Sequence, residues 1–221
     1  MNLELLRVLV FRSFAETGVA ATNSELAIAL GCEVAEIEAG LGELARQRHL
    51  VIDEQFRIVM AHPFSSVPLG FSVMGSSTLW WGGCAWDSFA LPHLVKSEPE
   101  VLVATTCPNC SKALAWNVNS STPPEGPEVA HFLIPTSNMW DDVVHTCGNQ
   151  RIFCSETCLD EWLGQSGNLK GYVMNLETLW RLASDWYSGR LDEGYSRREP
   201  AEAKDYFRSV GLEGAFWGLQ S

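Results

Sequence analysis

Two side chains with complementary chemistry follow a glycine pair near the middle of the chain. Cys84 and Asp87 stand three positions apart, directly after Gly82 and Gly83. If a helix begins near Cys84, both side chains project from one face of its first turn. The unpaired amides and the dipole of a helix N-terminus favour the thiolate, which is the nucleophilic and metal-binding form of cysteine. The spacing therefore predicts an acidified thiol with a carboxylate within reach as proton carrier.

A structural role for the same residues has to be weighed beside this one. The segment also contains Trp80, Trp81, Trp86 and Phe89, and a cysteine among aromatic residues is commonly a small buried hydrophobe. The alternative for Asp87 is a first-turn carboxylate that merely complements the helix dipole. If the pair is functional, the tryptophan-rich surroundings are expected to raise the pKa of Asp87 by desolvating its charged form.

Four further cysteines have the spacing of a metal site. Cys107 and Cys110 enclose a Pro-Asn dipeptide between two predicted strands, and Cys154 and Cys158 stand near the start of a predicted helix. This arrangement resembles the treble-clef zinc fold, and four thiolates in tetrahedral geometry suit zinc. The stretch 147–162 also resembles a small cysteine-rich metal-binding finger. A structural zinc at these four cysteines is the candidate cofactor, although Cys154 cannot easily serve both a closed zinc site and an open catalytic one.

Composition argues against several classes of protein. The chain has 221 residues, 46% of them hydrophobic, which is enough for a sizeable core. Its formal net charge of −12 argues against a bare nucleic-acid binder, because such proteins gain affinity from Lys and Arg on phosphates. There is no apolar run of membrane-spanning length and no secretory signal pattern, so a cytoplasmic location without membrane contact is expected. Seven cysteines then indicate thiol chemistry or metal binding rather than disulfides.

The first 62 residues are predicted to form a winged-helix-like module. Apolar residues at helical spacing predict helices over 3–17, 23–30 and 34–46, and a β-hairpin follows over 50–60. This order is typical of DNA-reading modules, but residues 1–60 contain nine acidic residues against five arginines. Because carboxylates repel phosphates, we predict a structural module that packs on the rest of the chain and binds no nucleic acid.

Residues 63–221 are predicted to form a second, sheet-based domain. A second hairpin over 69–81 leads the chain to Cys84, and the short helix after it is expected to end at Pro92. Strands are expected over 101–106, 113–118, 129–134 and 171–176, and helices over 155–163 and 177–187. The predicted fold class is α+β, in which a mixed or antiparallel sheet with flanking helices follows the N-terminal module. The histidines lack the paired spacing of a metal site and are expected on the surface or in the core.

One stretch resembles the signature of a known family. Residues 61–94 contain Ala-His-Pro-Phe-Ser from Ala61 and Gly-Cys-Ala-Trp-Asp-Ser-Phe-Ala-Leu-Pro from Gly83. This resembles the organomercurial (alkylmercury) lyases, whose centre reads aromatic-x-x-Cys-Ala-x-Asp before an apolar stretch and a proline. The resemblance implies a winged-helix-like N-terminal part. It also implies a second essential cysteine after a phenylalanine, and Phe153-Cys154 matches that cysteine by order and context.

The resemblance also implies a reaction, namely cleavage of a carbon–mercury bond by protonolysis. Cys84 would attack mercury as a thiolate and Cys154 would add a second sulfur, since thiolates are the softest ligands that a protein offers. Asp87 would take the thiol proton and return it to the carbon as general acid. The products are a hydrocarbon and Hg(II), and no cofactor is required. The implied partners are a small organometallic substrate, small thiols and a mercuric reductase that accepts Hg(II).

Part of the pattern is not accounted for by the resemblance. Cys107 falls where the family has a structural cysteine, but Cys110, Cys147 and Cys158 have no counterpart in it. A second hypothesis therefore stays open, namely a non-enzymatic zinc- or heavy-metal-binding protein or a metal-responsive regulator. In that case the cluster of Cys107, Cys110, Cys154 and Cys158 would be the functional centre.

Overall fold

Three helices and a β-hairpin open the chain. The computed structural model describes residues 1–220, beginning with α1 (Leu3–Thr17), α2 (Asn23–Leu30) and α3 (Val34–Arg46). Strands β1 (Val51–Ile52) and β2 (Ile58–Ala61) follow as an antiparallel pair. Local sequence explains the helix limits, because Asn2 and Thr22 cap the first turns of α1 and α2, and Gly18 ends α1 in the left-handed region.

The hairpin continues into a seven-stranded sheet that also carries the Cys84 segment. The elements are β3 (Phe64–Ser65), β4 (Phe71–Met74), β5 (Leu79–Gly82), α4 (Ala85–Leu94), β6 (Glu100–Thr106) and β7 (Ala113–Asn119). The strand order is β1-β2-β3-β5-β4-β6-β7, and all pairs are antiparallel. The domain boundary predicted at residue 62 falls between β2 and β3, which are hydrogen-bonded neighbours in this one sheet.

A smaller sheet forms the second half of the molecule. Its elements and flanking helices are β8 (Val129–Phe132), α5 (Val143–Gly148), β9 (Gln150–Phe153), α6 (Glu156–Ser166), β10 (Tyr172–Asn175), α7 (Leu176–Ser184) and α8 (Pro200–Ser209). The strand order is β10-β8-β9, again antiparallel. The predicted α+β fold class is confirmed. Sequence patterns did not predict β3, α5, β9 or α8, which are short or largely polar.

The N-terminal helices pack directly on the large sheet. The ring of Phe14 stacks on Phe64 with centroids 5.5 Å apart, and the Trp80 indole donates a hydrogen bond to the Phe14 carbonyl. Arg7, which is 1% exposed on α1, donates to the carbonyl of Arg190 at 2.6 Å. The expected packing of this module on the rest of the chain is therefore present. Its winged-helix classification and its lack of DNA binding stay predictions.

Helix α4 runs further than its proline suggested. The predicted end at Pro92 is wrong, because α4 continues to Leu94 with the proline inside it. A proline inside a helix removes one backbone hydrogen bond, but nearly every residue of this helix is buried. Packing on all sides therefore outweighs the lost bond. No helix within residues 1–220 is both long and apolar enough to cross a lipid bilayer.

Candidate active site

The glycine pair lets β5 turn closely over the first turn of α4. A Cβ atom at Gly82 would overlap the Ser88 hydroxyl, and one at Gly83 would overlap the Asp87 carboxylate and the Met60 methyl group. Neither glycine has a positive φ, so the requirement is for space and not for an unusual backbone conformation. The glycines thus allow the carboxylate of Asp87 to lie directly against the strand end.

This close approach predicts a stability cost for Gly83→Ala. Overpacking a well-packed core typically costs about 1–3 kcal/mol, and here the added methyl group would also displace the Asp87 carboxylate. Urea unfolding of wild type and variant measures the difference. The matched control is Gly164→Ala in α6, where a Cβ meets no atom of the described residues within 4 Å and where alanine favours the helix. Equal midpoints for Gly83→Ala and wild type would contradict the packing argument.

Cys84 is the N-cap of α4, and its sulfur is enclosed. It accepts a hydrogen bond from the Asp87 amide at 3.4 Å, and its thiol is placed to donate to Asp87 Oδ2 at 3.2 Å or to Gln150 Oε1 at 2.8 Å. The residue is 2% exposed. Burial, the Cys147 thiol and the Asp87 carboxylate raise the pKa of Cys84 well above its usual value. The predicted acidification is therefore wrong for the resting site, since burial outweighs the helix terminus.

Asp87 is 1% exposed and accepts hydrogen bonds from several sides. The Tyr187 hydroxyl donates to Oδ1 at 2.5 Å, and His62 Nδ1 lies 3.1 Å from Oδ2. Burial pushes the pKa of Asp87 up, but His62, Tyr187 and Cys84 together lower it below its usual value. The predicted rise is therefore wrong, because partners that stabilise the carboxylate outweigh the desolvation. At rest the site holds a carboxylate beside a neutral thiol.

A second thiol lies against the same carboxylate, and it belongs to Cys147. Its sulfur is 3.9 Å from Asp87 Oδ2, the oxygen that Cys84 also contacts. The neighbouring Cys84 thiol lowers the pKa of Cys147, but burial and the Asp87 charge outweigh it and the pKa is raised. Cys147 lies in α5, directly before β9. Two thiols thus converge on one carboxylate oxygen.

Cys154, the predicted partner of Cys84, lies elsewhere. Its sulfur is 3.5 Å from that of Cys110, within a cluster formed with Cys107 and Cys158. The four sulfurs all lie within 4.8 Å of one another. Within the described residues every one of the seven cysteines is a free thiol. The structure therefore brings Cys84 and Asp87 together as predicted and assembles the predicted four-cysteine cluster, but it places Cys154 only in the latter.

Sequence reasoning missed four residues of the site. They are His62, Cys147, Gln150 and Tyr187, each of which contacts Cys84 or Asp87. His62 had a usable signal, because it lies in the stretch that resembles the lyase family. The other three come from α5, the start of β9 and the segment after α7, and no local pattern links those elements with α4.

The site lies at the base of a cavity of about 450 Å³. Cys84, Asp87 and Cys147 line the base, and aromatic side chains that include Trp86, Trp140 and Trp186 line the walls. Two thiols can bind a soft metal in linear or bent geometry, and the carboxylate can carry a proton between a thiol and a bound group. The aromatic walls suit an apolar substituent on that metal.

Comparisons with known proteins show the family to which the chain belongs. The family model of MerB, described as alkylmercury lyase, matches residues 64–188, which is more than half of the chain. Among solved structures, one described as the mercury-bound form of MerB2 is similar with a TM-score of 0.62 at 19% identity, covering 86% of this chain and 97% of that chain. No curated protein matches the sequence. The family match and the shared fold together show that the chain belongs to the alkylmercury lyase family.

Proposed function

We propose that the protein cleaves carbon–mercury bonds by protonolysis, with Cys84 and Cys147 as the sulfur ligands of mercury and Asp87 as the proton carrier. The observation that carries the proposal is the convergence of both thiols on Asp87 Oδ2, at 3.2 and 3.9 Å. A site built only to hold a metal has no need of a buried carboxylate between its sulfurs. Cys154 is not part of this proposal.

The first step is binding of the organomercurial by Cys84. The resting thiol is neutral, but thiols lose their proton when they bind a metal. Asp87 Oδ2 lies at hydrogen-bond distance from the sulfur, so the proton has an acceptor within the site. The new sulfur–mercury bond replaces the bond between mercury and its previous ligand, which leaves with a proton.

The second step adds Cys147 and breaks the carbon–mercury bond. A second thiolate raises the electron density on the carbon, and the thiol proton of Cys147 reaches Asp87 Oδ2, 3.9 Å away. Asp87 delivers this proton to the carbon, so the electron pair of the carbon–mercury bond ends in a new carbon–hydrogen bond. The balance is one hydrocarbon released and one Hg(II) held by two protein thiolates. Small thiols, or an acceptor protein such as a mercuric reductase, then remove the ion.

Three neighbours position the proton carrier and the Cys84 thiol beside it. Tyr187 donates to Asp87 Oδ1 at 2.5 Å and so leaves Oδ2 facing the thiols. His62 approaches Oδ2 from the side of Trp140, and Gln150 offers Cys84 a second acceptor. Burial of the whole group excludes water, which strengthens each of these electrostatic contacts.

The direct test is release of hydrocarbon from phenylmercury or methylmercury by the purified, fully reduced protein. An excess of a small thiol carries off the product, and the same thiol without protein is the control. We expect benzene or methane in stoichiometric excess over protein. Release no faster than the thiol-only control, for several substrates, would contradict the proposed function.

A further inference from the structure

The four-cysteine cluster has the geometry of a tetrahedral metal site. With zinc–sulfur bonds of about 2.3 Å, the sulfurs of a tetrahedral site lie roughly 3.8 Å apart. The sulfurs of Cys107, Cys110, Cys154 and Cys158 all lie within 4.8 Å of one another, and those of Cys110 and Cys154 are 3.5 Å apart. Only a small contraction is needed to bind an ion.

The backbone around the cluster is already shaped for thiolate ligands. The 107–112 turn is closed by the Cys107 amide donating to the Lys112 carbonyl and by the Ser111 amide donating to the Cys107 carbonyl, both at 2.9 Å. Ser111 adopts a positive φ of 60° there. On the other side, the Cys158 amide is capped by the Ser155 hydroxyl in the first turn of α6. Each half of the cluster is therefore held by hydrogen bonds of its own backbone.

The cluster also joins the two sheets. Cys107 and Cys110 follow β6 of the large sheet, whereas Cys154 follows β9 of the small sheet and Cys158 lies in α6. Strand β9 begins at Gln150, which contacts Cys84, and α5 before it carries Cys147. We propose that these four cysteines bind one structural zinc ion, which fixes the sheet that carries Cys147 against the sheet that carries Cys84.

Metal content tests this proposal without any activity assay. Protein purified without chelator is expected to contain one zinc per chain, and Cys110→Ser and Cys158→Ser are expected to lose it. Cys147→Ser is the matched control and should keep its zinc, because Cys147 lies in the other site. Two results would overturn the assignment. One is wild-type protein that contains no zinc, and the other is a Cys147→Ser variant that folds like wild type but contains no zinc.

Cobalt substitution and thermal unfolding cover the case in which a cysteine variant fails to fold. Wild-type protein stripped by chelator under reducing conditions should take up one Co(II) per chain and show the thiolate-to-cobalt absorption of a tetrahedral site. Its melting temperature should rise on adding zinc, since binding to the folded state alone stabilises it. Absence of the cobalt spectrum, a cluster that takes up only Hg(II), or a disulfide in the freshly purified protein would each reject a zinc site.

A different observation concerns the positive charges of the active-site cavity. The side chains of Arg48, Arg190, Arg197, Arg198 and Lys204 line it, and all of them except the buried Arg190 reach solvent. Within the described residues Asp87 is its sole carboxylate. We call these five side chains the cationic entrance. The chain as a whole carries a net charge of −12, so this concentration of positive charge is local and opposite in sign to the rest of the molecule.

Most of these charges have no carboxylate partner in the described part of the chain. Arg198 pairs with Asp185 at 2.8 Å, whereas no ion pair is formed by Arg48, Arg190, Arg197 or Lys204 within residues 1–220. Arg190 is 7% exposed, and its Nε has no hydrogen-bond partner among the described residues. The pKa of the nearby His49 is lowered to about 4. Burial is the largest cause, and the positive charges of Arg190, Arg7 and Arg197 add to it.

The entrance is connected to the site through Trp140. The guanidinium groups of Arg48 and Arg197 lie 6.0 and 5.0 Å from the centroid of its ring, and the ring meets His62 edge-on at 5.9 Å. Arg190 in turn donates to the His62 carbonyl at 2.7 Å. A group bound among these cations therefore lies next to the base of the cavity, where the mercury would be held.

We infer that the preferred substrate is an organomercurial carried by a small thiol with carboxylate groups. This inference rests on the proposed function. The carboxylates would bind the cationic entrance while mercury reaches Cys84. The thiol of Cys84 then exchanges with the carrier: one sulfur–mercury bond forms, the carrier's sulfur–mercury bond breaks, and the Cys84 proton passes by way of Asp87 to the departing carrier thiolate. Nothing is oxidised or reduced.

The test compares carriers that differ in charge. Phenylmercury is supplied as its complex with mercaptosuccinate, 2-mercaptoethanol or cysteamine, and kcat/KM is measured at low and high ionic strength. Charge-lined clefts typically raise association rates by about 10- to 1000-fold, so we expect at least about a tenfold preference for mercaptosuccinate at low salt that shrinks at high salt. Arg197→Gln and Lys204→Gln should each reduce that preference, whereas Arg208→Gln, paired with Asp205 outside the cavity, should not.

The outcomes separate the two proposals. Turnover of all three complexes with equal kcat/KM would overturn the carrier inference and leave the proposed lyase function standing. No turnover with any carrier would contradict the proposed function itself. A preference that survives high salt and both entrance variants would also reject the cationic entrance as its cause.

Discussion

Asp87→Asn is expected to abolish most hydrocarbon release while leaving mercuric-ion binding intact. The amide keeps the shape of the carboxylate but cannot take up a thiol proton or deliver one to carbon. General acid–base groups typically contribute about 10² to 10⁴-fold in rate, so we expect a loss of at least about 10²-fold in protonolysis of phenylmercury. Both sulfurs stay in place, so Hg(II) should still bind with one ion per chain.

Gas chromatography measures the release of hydrocarbon. Binding of Hg(II) is determined in parallel by competition with a small dithiol. Asp160→Asn is the control, because Asp160 is exposed on α6, where it pairs with Lys170. If Asp87→Asn released hydrocarbon within about tenfold of wild type, well short of the usual contribution of a general acid, Asp87 would not be the proton carrier. Loss of mercury binding as well would instead indicate that the carboxylate is needed to hold the two sulfurs in place.

Cys147→Ser is expected to lose carbon–mercury cleavage, and this variant decides which cysteine is the second sulfur ligand. A hydroxyl is a harder and far less acidic ligand than a thiol, so mercury would be held by Cys84 alone among the protein sulfurs. Hydrocarbon release should fall to the level of the thiol-only control. Cys32→Ser is the matched control for activity, since Cys32 lies in the turn after α2, away from both cysteine sites.

X-ray absorption at the mercury edge separates Cys147 from Cys154 directly. Wild-type protein with one Hg(II) per chain should show two short mercury–sulfur bonds. Cys154→Ser should retain both of them, whereas Cys147→Ser should retain one and take its second ligand from solution. Loss of a bond in Cys154→Ser but not in Cys147→Ser would support the pairing that the sequence first suggested and would reject the one proposed from the structure.

The pKa values of Cys84 and Asp87 depend on residues that are distant along the chain. Local sequence places a thiol and a carboxylate at a helix start, where the helix terminus would lower the pKa of Cys84 and the aromatic surroundings would raise that of Asp87. In the folded protein, burial is the larger effect on the thiol, and bonds from His62, Tyr187 and Cys84 decide the carboxylate. His62 lies between β2 and β3, Tyr187 follows α7, and Cys84 is the N-cap of α4. Local sequence therefore predicts only the contact between Cys84 and Asp87 in the first turn of α4.

The sequence by itself determined the parts of the protein that depend on near neighbours along the chain. Apolar periodicity and capping residues determined α1, α2 and α3. The glycine pair and the spacing of Cys84 and Asp87 determined one face of the site. The two short cysteine pairs determined the halves of the four-cysteine cluster. Each of these features is set by interactions between residues a few positions apart.

Only the tertiary structure decided which cysteine meets Cys84. Cys147 and Cys154 are seven positions apart on either side of β9. From order along the chain, Cys154 was the better match, because it follows a phenylalanine near a helix start. The α5–β9 segment packs against α4 so that Cys147 and Gln150 face Cys84, whereas Cys154, beyond the far end of the strand, meets Cys107 and Cys110. Contacts between distant segments are set by how helices and sheets pack together, and a linear pattern carries no information about that packing.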